Sequence, residues 1–135
     1  MISFERVSKR YGNGHDALRD VSFDMSRDEL VFLTGHSGAG KSTLLRLIML
    51  MEQPTRGRIV VNGNDLSRVG RRGVPAHRRG VGVVFQNHRL LFDRTVFDNV
   101  ALPLTIAGYD EREVGRRVRA ALDKVGLLEH ERAMP

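Results

Sequence analysis

The 135 residues contain no cysteine. That excludes a disulfide framework, a zinc–thiolate site and a cysteine nucleophile, and it fits a reducing compartment such as the cytoplasm. Aromatic residues are few, at 6%, and no basic run carries stacking side chains between its charges. A nucleic-acid platform therefore has no support, and no nucleic-acid partner is expected. Long apolar runs are missing too. The longest candidate, Leu44 to Met51, is interrupted by Arg46 and falls far short of the roughly 18 residues of a membrane span. The opening Met1-Ile2-Ser3-Phe4-Glu5-Arg6 is charged early and has no signal-peptide core. Membrane association is thus expected only through a partner or a surface.

What is present is an ordinary globular composition, 41% hydrophobic and 28% charged, long enough for one domain core. The net charge is +6, much of it in Arg68, Arg71, Arg72, Arg78 and Arg79 and in Arg112, Arg116, Arg117 and Arg119. Two readings stand: a solvated surface, or attraction to phosphates or an anionic leaflet.

Hydropathy patterning divides the chain. Ile2 and Phe4 alternate with polar residues, as do Val21, Phe23 and Met25, which predicts two half-buried antiparallel strands joined by a turn at Tyr11-Gly12-Asn13-Gly14. Leu30-Val31-Phe32-Leu33 and Val81 to Phe85 are continuously apolar and read as strands buried on both faces of a parallel sheet. A helix is expected from Lys41 to about Met51, a strand over Arg58 to Val61, a turn at Asn62-Gly63-Asn64-Asp65 and a short helix near Pro75. From Asn87 the pattern is helical. Thr95 with Asp98 forms a capping box before Val96 to Leu102, and Pro103 is expected to kink or end that helix. Asp110 with Glu113 opens another, with Val114, Val118, Ala121, Leu122 and Val125 as its apolar stripe and Gly126 as its left-handed cap. The expected organisation is a mixed α/β part, 1–86, followed by a helical part, 87–135.

Gly35-His36-Ser37-Gly38-Ala39-Gly40-Lys41-Ser42 matches the phosphate-loop pattern G-x-x-x-x-G-K-[ST]. The loop must wrap closely around phosphate oxygens, and side chains at Gly35 or Gly40 would block the backbone or force a strained dihedral. Successive backbone N–H groups then face one concavity, and the following helix adds its positive end. Lys41 reaches the outer phosphates as a point charge, and the Ser42 hydroxyl is a hard oxygen ligand for Mg²⁺. Thr43 completes the nucleotide-binding stretch. The pattern arises by chance on the order of once in several hundred chains of this length, and the apolar strand before it and the helix after it are the required context. His36 sits at a variable position, and its side chain is read as a spectator. His15, His77, His88 and His130 have no metal-ligand spacing.

In order along the chain, Val7-Ser8-Lys9-Arg10-Tyr11, Ala17-Leu18-Arg19-Asp20-Val21-Ser22-Phe23, the phosphate loop, Pro54-Thr55-Arg56-Gly57 with Gly63, and Val84-Phe85-Gln86 resemble the ATP-binding subunits of ABC transporters. Leu33 to Thr43, Leu90 to Val96 and Ala121 to Leu128 look most like the FtsE family, cell-division ATPases that work with the membrane protein FtsX. The resemblance implies a P-loop NTPase fold of the α/β class: a parallel core sheet, an N-terminal antiparallel β part and the start of an α-helical subdomain after residue 86. It implies ATP and Mg²⁺ as ligands, Tyr11 stacked on adenine, and Gln86 beside the metal or the attacking water. It also implies a homodimer of ATPase subunits, and an FtsX-like integral membrane subunit that keeps the protein at the cytoplasmic face of the membrane. Phe92, Val96 and Phe97 are candidates for the contact with that subunit or for the helical core. The family usually has glycine where this chain has Leu50. Its signature loop, Walker B aspartate, catalytic glutamate and switch histidine lie beyond the point matching Pro135 and are not among these residues. The 135 residues alone are therefore expected to be hydrolytically inactive and to expose apolar strand edges.

Other readings remain open on sequence alone. One is an exporter ATPase of the lipoprotein-release or macrolide type. Another is a nucleotide- or partner-binding module without turnover, if the chain is a natural full-length product. A small-molecule kinase shares the phosphate loop, but such kinases usually begin at the loop strand. A GTPase would need an N-K-x-D motif, which is missing.

Overall fold

The alternating N-terminal residues form β1 (Ile2–Arg10) and β2 (Asp16–Met25), paired antiparallel, in a computed structural model that describes residues 1–86 and 89–135. Asn87, where the helical part was placed to begin, and His88 lie outside the described residues. The backbone gathers into two compact units, 1–81 and 82–135.

In the first unit the turn after β1 closes with the Gly14 N–H donating to the Tyr11 carbonyl at 2.9 Å. Phe4 lies opposite Phe23, and their rings stack with centroids 4.7 Å apart. β3 (Arg56–Val61) pairs antiparallel on the other side of β1, and β4 (Asn64–Asp65) folds back on it, giving the order β2-β1-β3-β4. β1 and β2 break register with one another after their apolar pairs. Arg6 and Asp20 take positive φ, 46° and 49°, and their N–H groups donate to Ser22 and Ser8 hydroxyls, each at 2.9 Å. Serine side chains thus satisfy the amides that the irregularities withdraw from the ladder.

Against this sheet lies α1 (Lys41–Ile48), whose Leu44, Leu47 and Ile48 join Phe4, Val7, Leu18, Ile59 and Val61 in one core. The helix ends sooner than the expected Met51. Leu50 adopts the left-handed conformation, φ 50°, and the Met51 N–H donates back to the Arg46 carbonyl at 2.9 Å. The freed carbonyls are taken by the short α2 (Val74–Arg79): His77 Nε2 donates to Ile48 O at 2.7 Å, and Arg78 donates to Met49 O and Leu50 O, each at 3.0 Å. Arg78 is therefore a helix-end partner rather than a free surface cation.

The segments Leu30–Leu33 and Val81–Phe85 depart from expectation. Neither is a strand. Leu30 and Phe32 are 80% and 81% exposed, and Val84 is 93% exposed. A parallel strand needs ladder partners and a covering layer on each face. All four strands among the described residues belong to the antiparallel sheet, so the expected parallel core sheet is not formed there.

The second unit is helical. α3 (Val96–Ile106) opens with the expected capping box: Thr95 Oγ1 accepts from the Asp98 N–H at 3.1 Å, and Asp98 Oδ2 accepts from the Thr95 N–H at 3.3 Å. Pro103 does not end it. Only the bond to the Asn99 carbonyl is lost there, and the helix runs on to Ile106. α4 (Glu111–Lys124) starts at Asp110, whose carboxylate accepts from the Glu113 N–H at 2.9 Å. Val114, Val118 and Leu122 are buried against Ala101, with Val96, Phe97, Val100 and Leu104 packed around them. Ala121 and Val125, expected in the same stripe, are exposed. The buried line follows strict fourfold spacing, Ala121 falls to its flank, and Val125 lies past the last helical residue. Gly126 caps the end at φ 71°. Among the described residues no helix is long and apolar enough to cross a membrane.

Candidate nucleotide-binding site

The phosphate-loop residues are shaped by three glycines in the left-handed half of dihedral space, Gly35 at φ 147°, Gly38 at 81° and Gly40 at 86°. Gly40 has a second constraint. A Cβ there would lie 2.3 Å from the Ala17 carbonyl oxygen and 2.8 Å from Leu18 Cδ2, so the loop closes against β2 only if the position is bare. Gly40 is also the residue before α1, and no side chain caps that helix. Its first-turn amides are left for an external acceptor.

Lys41 folds back over the loop. Its ammonium donates to the carbonyls of Gly35 and of His36, the latter at 2.8 Å. A cation is thus held against the loop by weak neutral acceptors, which an anion would outcompete. His36 Nδ1 lies 2.7 Å from the Ser37 carbonyl oxygen, so the imidazole is turned onto the loop's own backbone. Ser37 and Ala39 are exposed loop residues, and the Ala39 N–H donates to His36 O at 3.2 Å. Ser42 is exposed on the first turn of α1. Its hydroxyl is a hard oxygen suited to Mg²⁺. Among the described residues no group of three or more His, Cys, Asp or Glu forms a metal cage. The donor set therefore fits an ion held mainly by phosphate oxygens.

Tyr11 is brought to the same place. Its hydroxyl lies 3.2 Å from that of Thr43, a buried residue of the first turn of α1. The aromatic ring thus stands beside the helix that begins the phosphate site. Two residues that sequence reasoning missed, Lys9 and Glu52, gather beside it. The Lys9 ammonium lies 5.2 Å from the ring centroid, donates to Gln53 O at 2.8 Å and lies 3.4 Å from Glu52. Burial pushes the Glu52 carboxyl up, but the Tyr11 hydroxyl, Lys9 and Arg46 outweigh it and hold the group below its ordinary range. No local pattern marks Glu52, which becomes relevant only through a contact 41 positions distant from Tyr11 in sequence.

Gln86 belongs to the second unit, at the end of the extended segment from Gly82, and is exposed. The Arg89 guanidinium lies 4.7 Å from the Phe85 ring centroid beside it. Of the three apolar contact candidates, Val96 and Phe97 pack on the helical core, whereas Phe92 is 73% exposed. A cavity of about 500 Å³ on the sheet is lined by Glu5, Arg6, Ser8, Asp20, Arg56, Gly57 and Arg58. Its charges are of mixed sign, it includes no phosphate-loop residue, and it has no part in the site.

The family model described as ABC transporter matches residues 18–135. The chain belongs to the ABC transporter family. The cell division ATP-binding protein FtsE of Escherichia coli K12 is 56% identical over 135 residues, covering all of this chain and 61% of that protein. FtsE of Haemophilus influenzae is 47% identical, with 62% of it covered. The methionine import ATP-binding protein MetN of Chromohalobacter salexigens is 43% identical, with 40% of it covered. Among solved structures, the dimeric post-hydrolysis state of the ATP-binding cassette MJ0796, bound to ADP and Pi, superposes with a TM-score of 0.89 at 28% identity. All of this chain and 62% of that one are covered. The chain thus has the α/β fold of an ABC ATPase, is FtsE-like, and spans 61% of the length of the E. coli protein.

Proposed function

We propose that this chain is the ATP-binding part of an ABC ATPase subunit of the FtsE type, acting in cell division with an FtsX-like integral membrane subunit. One observation carries the nucleotide reading: three left-handed glycines, an uncapped helix start and a lysine folded back onto the loop carbonyls fall in one stretch, with Tyr11 bonded to the same helix. The loop amides and Lys41 bind the phosphates, Ser42 is a Mg²⁺ ligand, Tyr11 stacks on adenine, and Gln86 takes the metal- or water-sensing role that the resemblance implies. Mg²⁺, when bound, neutralises charge on two phosphates. The 56% identity to FtsE supports the subunit type. Residues 1–86 then form the nucleotide-binding core with its antiparallel part, and 87–135 begin the helical subdomain. In the whole protein two such subunits pair, at the cytoplasmic face of the membrane.

Positioning and charge neutralisation supply much of the catalysis in phosphoryl transfer, but water must also be activated. Among the described residues no carboxylate is bonded to the phosphate loop, and the 135 residues by themselves should turn over ATP no faster than their Lys41→Ala variant.

The test is binding of a non-hydrolysable ATP analogue with and without Mg²⁺. Lys41→Ala should abolish binding of both the analogue and inorganic triphosphate. Tyr11→Ala should weaken the analogue by about tenfold, the scale of one aromatic–base stack, and spare inorganic triphosphate. Undiminished binding by Lys41→Ala would overturn the reading.

A further inference from the structure

Glu52 lies in the connection from α1 to β3, just past the end of the helix. It gathers groups that are far apart in sequence. Its Oε1 accepts from Arg46 of α1 at 3.4 Å, and its Oε2 lies 3.4 Å from the Lys9 ammonium of β1. The Tyr11 hydroxyl is the third group that acts on it. The enclosed Oε2 takes no well-formed hydrogen bond among the described residues. A phenol has one hydrogen and two lone pairs. With Thr43 donating to Tyr11 across their 3.2 Å contact, the Tyr11 hydrogen is free for the carboxylate.

Such a pair is an inefficient source of stability. The Lys9 and Glu52 side chains are only 16% and 22% exposed, and removing two charges from water offsets much of their attraction. What the pair achieves is the placement of an ammonium. Lys9 donates to Gln53 O at 2.8 Å and stands over one face of the Tyr11 ring, 5.2 Å from its centroid. A cation on that face leaves a base only the opposite face for stacking. The hydroxyl end of the ring is tied to α1 through Thr43. With a neutral residue at position 52, Lys9 would keep only a carbonyl and the ring as partners. A lysine head in that state swings out to water, and the ring loses its backing.

We propose that Glu52 is a positioning residue of the adenine platform: by pairing with Lys9 it keeps the ammonium over one face of Tyr11 and fixes the ring with its other face open to the base. Glu52 acts through Lys9 and Tyr11 rather than on the nucleotide. This rests on the nucleotide reading above, in which Tyr11 stacks on adenine.

The experiment uses the full-length protein with Glu52→Gln, Glu52→Asp, Lys9→Met, Tyr11→Ala and the Glu52→Gln/Tyr11→Ala pair. The probes are a non-hydrolysable ATP analogue and inorganic triphosphate, both with Mg²⁺. Glu52→Gln should weaken the analogue about fivefold, the scale of a cation–π contact and a charged hydrogen bond. It should leave triphosphate unmoved. In turnover the KM for ATP should rise with kcat unchanged, the sign of lost ground-state binding. Glu52→Asp, which keeps the charge, should recover part of the loss. In the Tyr11→Ala background Glu52→Gln should cost nothing further, because the two act on one platform. If Glu52→Gln loses cooperative unfolding, Lys9→Met carries the same comparisons. Equal weakening of analogue and triphosphate, or a full additional loss in the Tyr11→Ala background, makes Glu52 merely structural and overturns the proposal. Parent-like analogue binding by Glu52→Gln, with Tyr11→Ala impaired, also overturns it and leaves the nucleotide reading standing. Parent-like analogue binding by Tyr11→Ala removes the adenine platform, and the proposal with it.

Discussion

Gly40 and Leu50 bracket the same helix and show opposite uses of left-handed backbone. At Gly40 the φ of 86° coincides with a 2.3 Å approach to the Ala17 carbonyl oxygen, so a methyl group meets both strain and a clash with backbone that cannot swing away. Gly40→Ala should lower stability by about 2 kcal/mol or more, read from denaturant midpoints, and weaken ATP-analogue binding. Leu50 has a left-handed φ of 50° with a half-buried side chain packed on the first core. Relief of strain, about 1–2 kcal/mol for replacing leucine by glycine, works against a similar loss of burial. Leu50→Gly should therefore change stability by less than about 1 kcal/mol, whereas Leu47→Ala, at a fully buried position, should cost about 3 kcal/mol. The family's glycine at this position, noticed from sequence as a question of packing, has its reason in the helix cap. The phosphate loop was legible because its chemistry is local: glycines, lysine and serine at fixed spacing. Lys9 and Glu52 were not, because each works through contacts that the pattern around it does not announce.

At the element scale the helices of the second unit were legible from their ends. Thr95 with Asp98, and Asp110 with Glu113, announce α3 and α4 in sequence and do the same work in the structure. Thr95→Ala should destabilise the second unit by about 1 kcal/mol, measurable by thermal unfolding, with no direct effect on nucleotide affinity. Glu113 gives a pH-dependent counterpart. Hydrogen bonds first from Arg116 and then from Arg117 hold its carboxyl at about 2, against an ordinary 4.5. The folded value is the depressed one, so the contribution is full above the ordinary range and is lost as pH falls toward about 2. The stability difference between the parent and Glu113→Gln should accordingly be present at neutral pH and shrink through that window. A difference that grew on acidification would contradict the assignment. The stripe of α4 was less legible at its edges. Ala121 and Val125 share its sequence period, but the helix covers only the line through Val114, Val118 and Leu122. Burial depends on where a neighbour sits, which period alone does not state.

Across the whole molecule the largest mismatch between sequence and structure lies in the two apolar segments, Leu30–Leu33 and Val81–Phe85. Their composition asks for burial on both faces, yet Leu30, Phe32 and Val84 are among the most exposed large apolar residues. Sequence period cannot reveal a missing neighbour: a strand of a parallel sheet is specified by what lies on either side of it. Such a run, with high β-propensity and no charge from Leu30 to Leu33, is a template for pairing with another copy. The 135 residues by themselves should therefore scatter light and bind a hydrophobic dye at moderate concentration. Phe32→Lys should suppress both, because one charge in the centre of the run opposes intermolecular pairing at a position where little packing is lost. The same substitution in the full-length protein should be harmful instead, if there the segment gains the covering that its composition demands. Equal tolerance of Phe32→Lys in both contexts would mean that the run is a surface in its own right. In that case the antiparallel sheet and α1, rather than a parallel core, would carry the stability of the phosphate site.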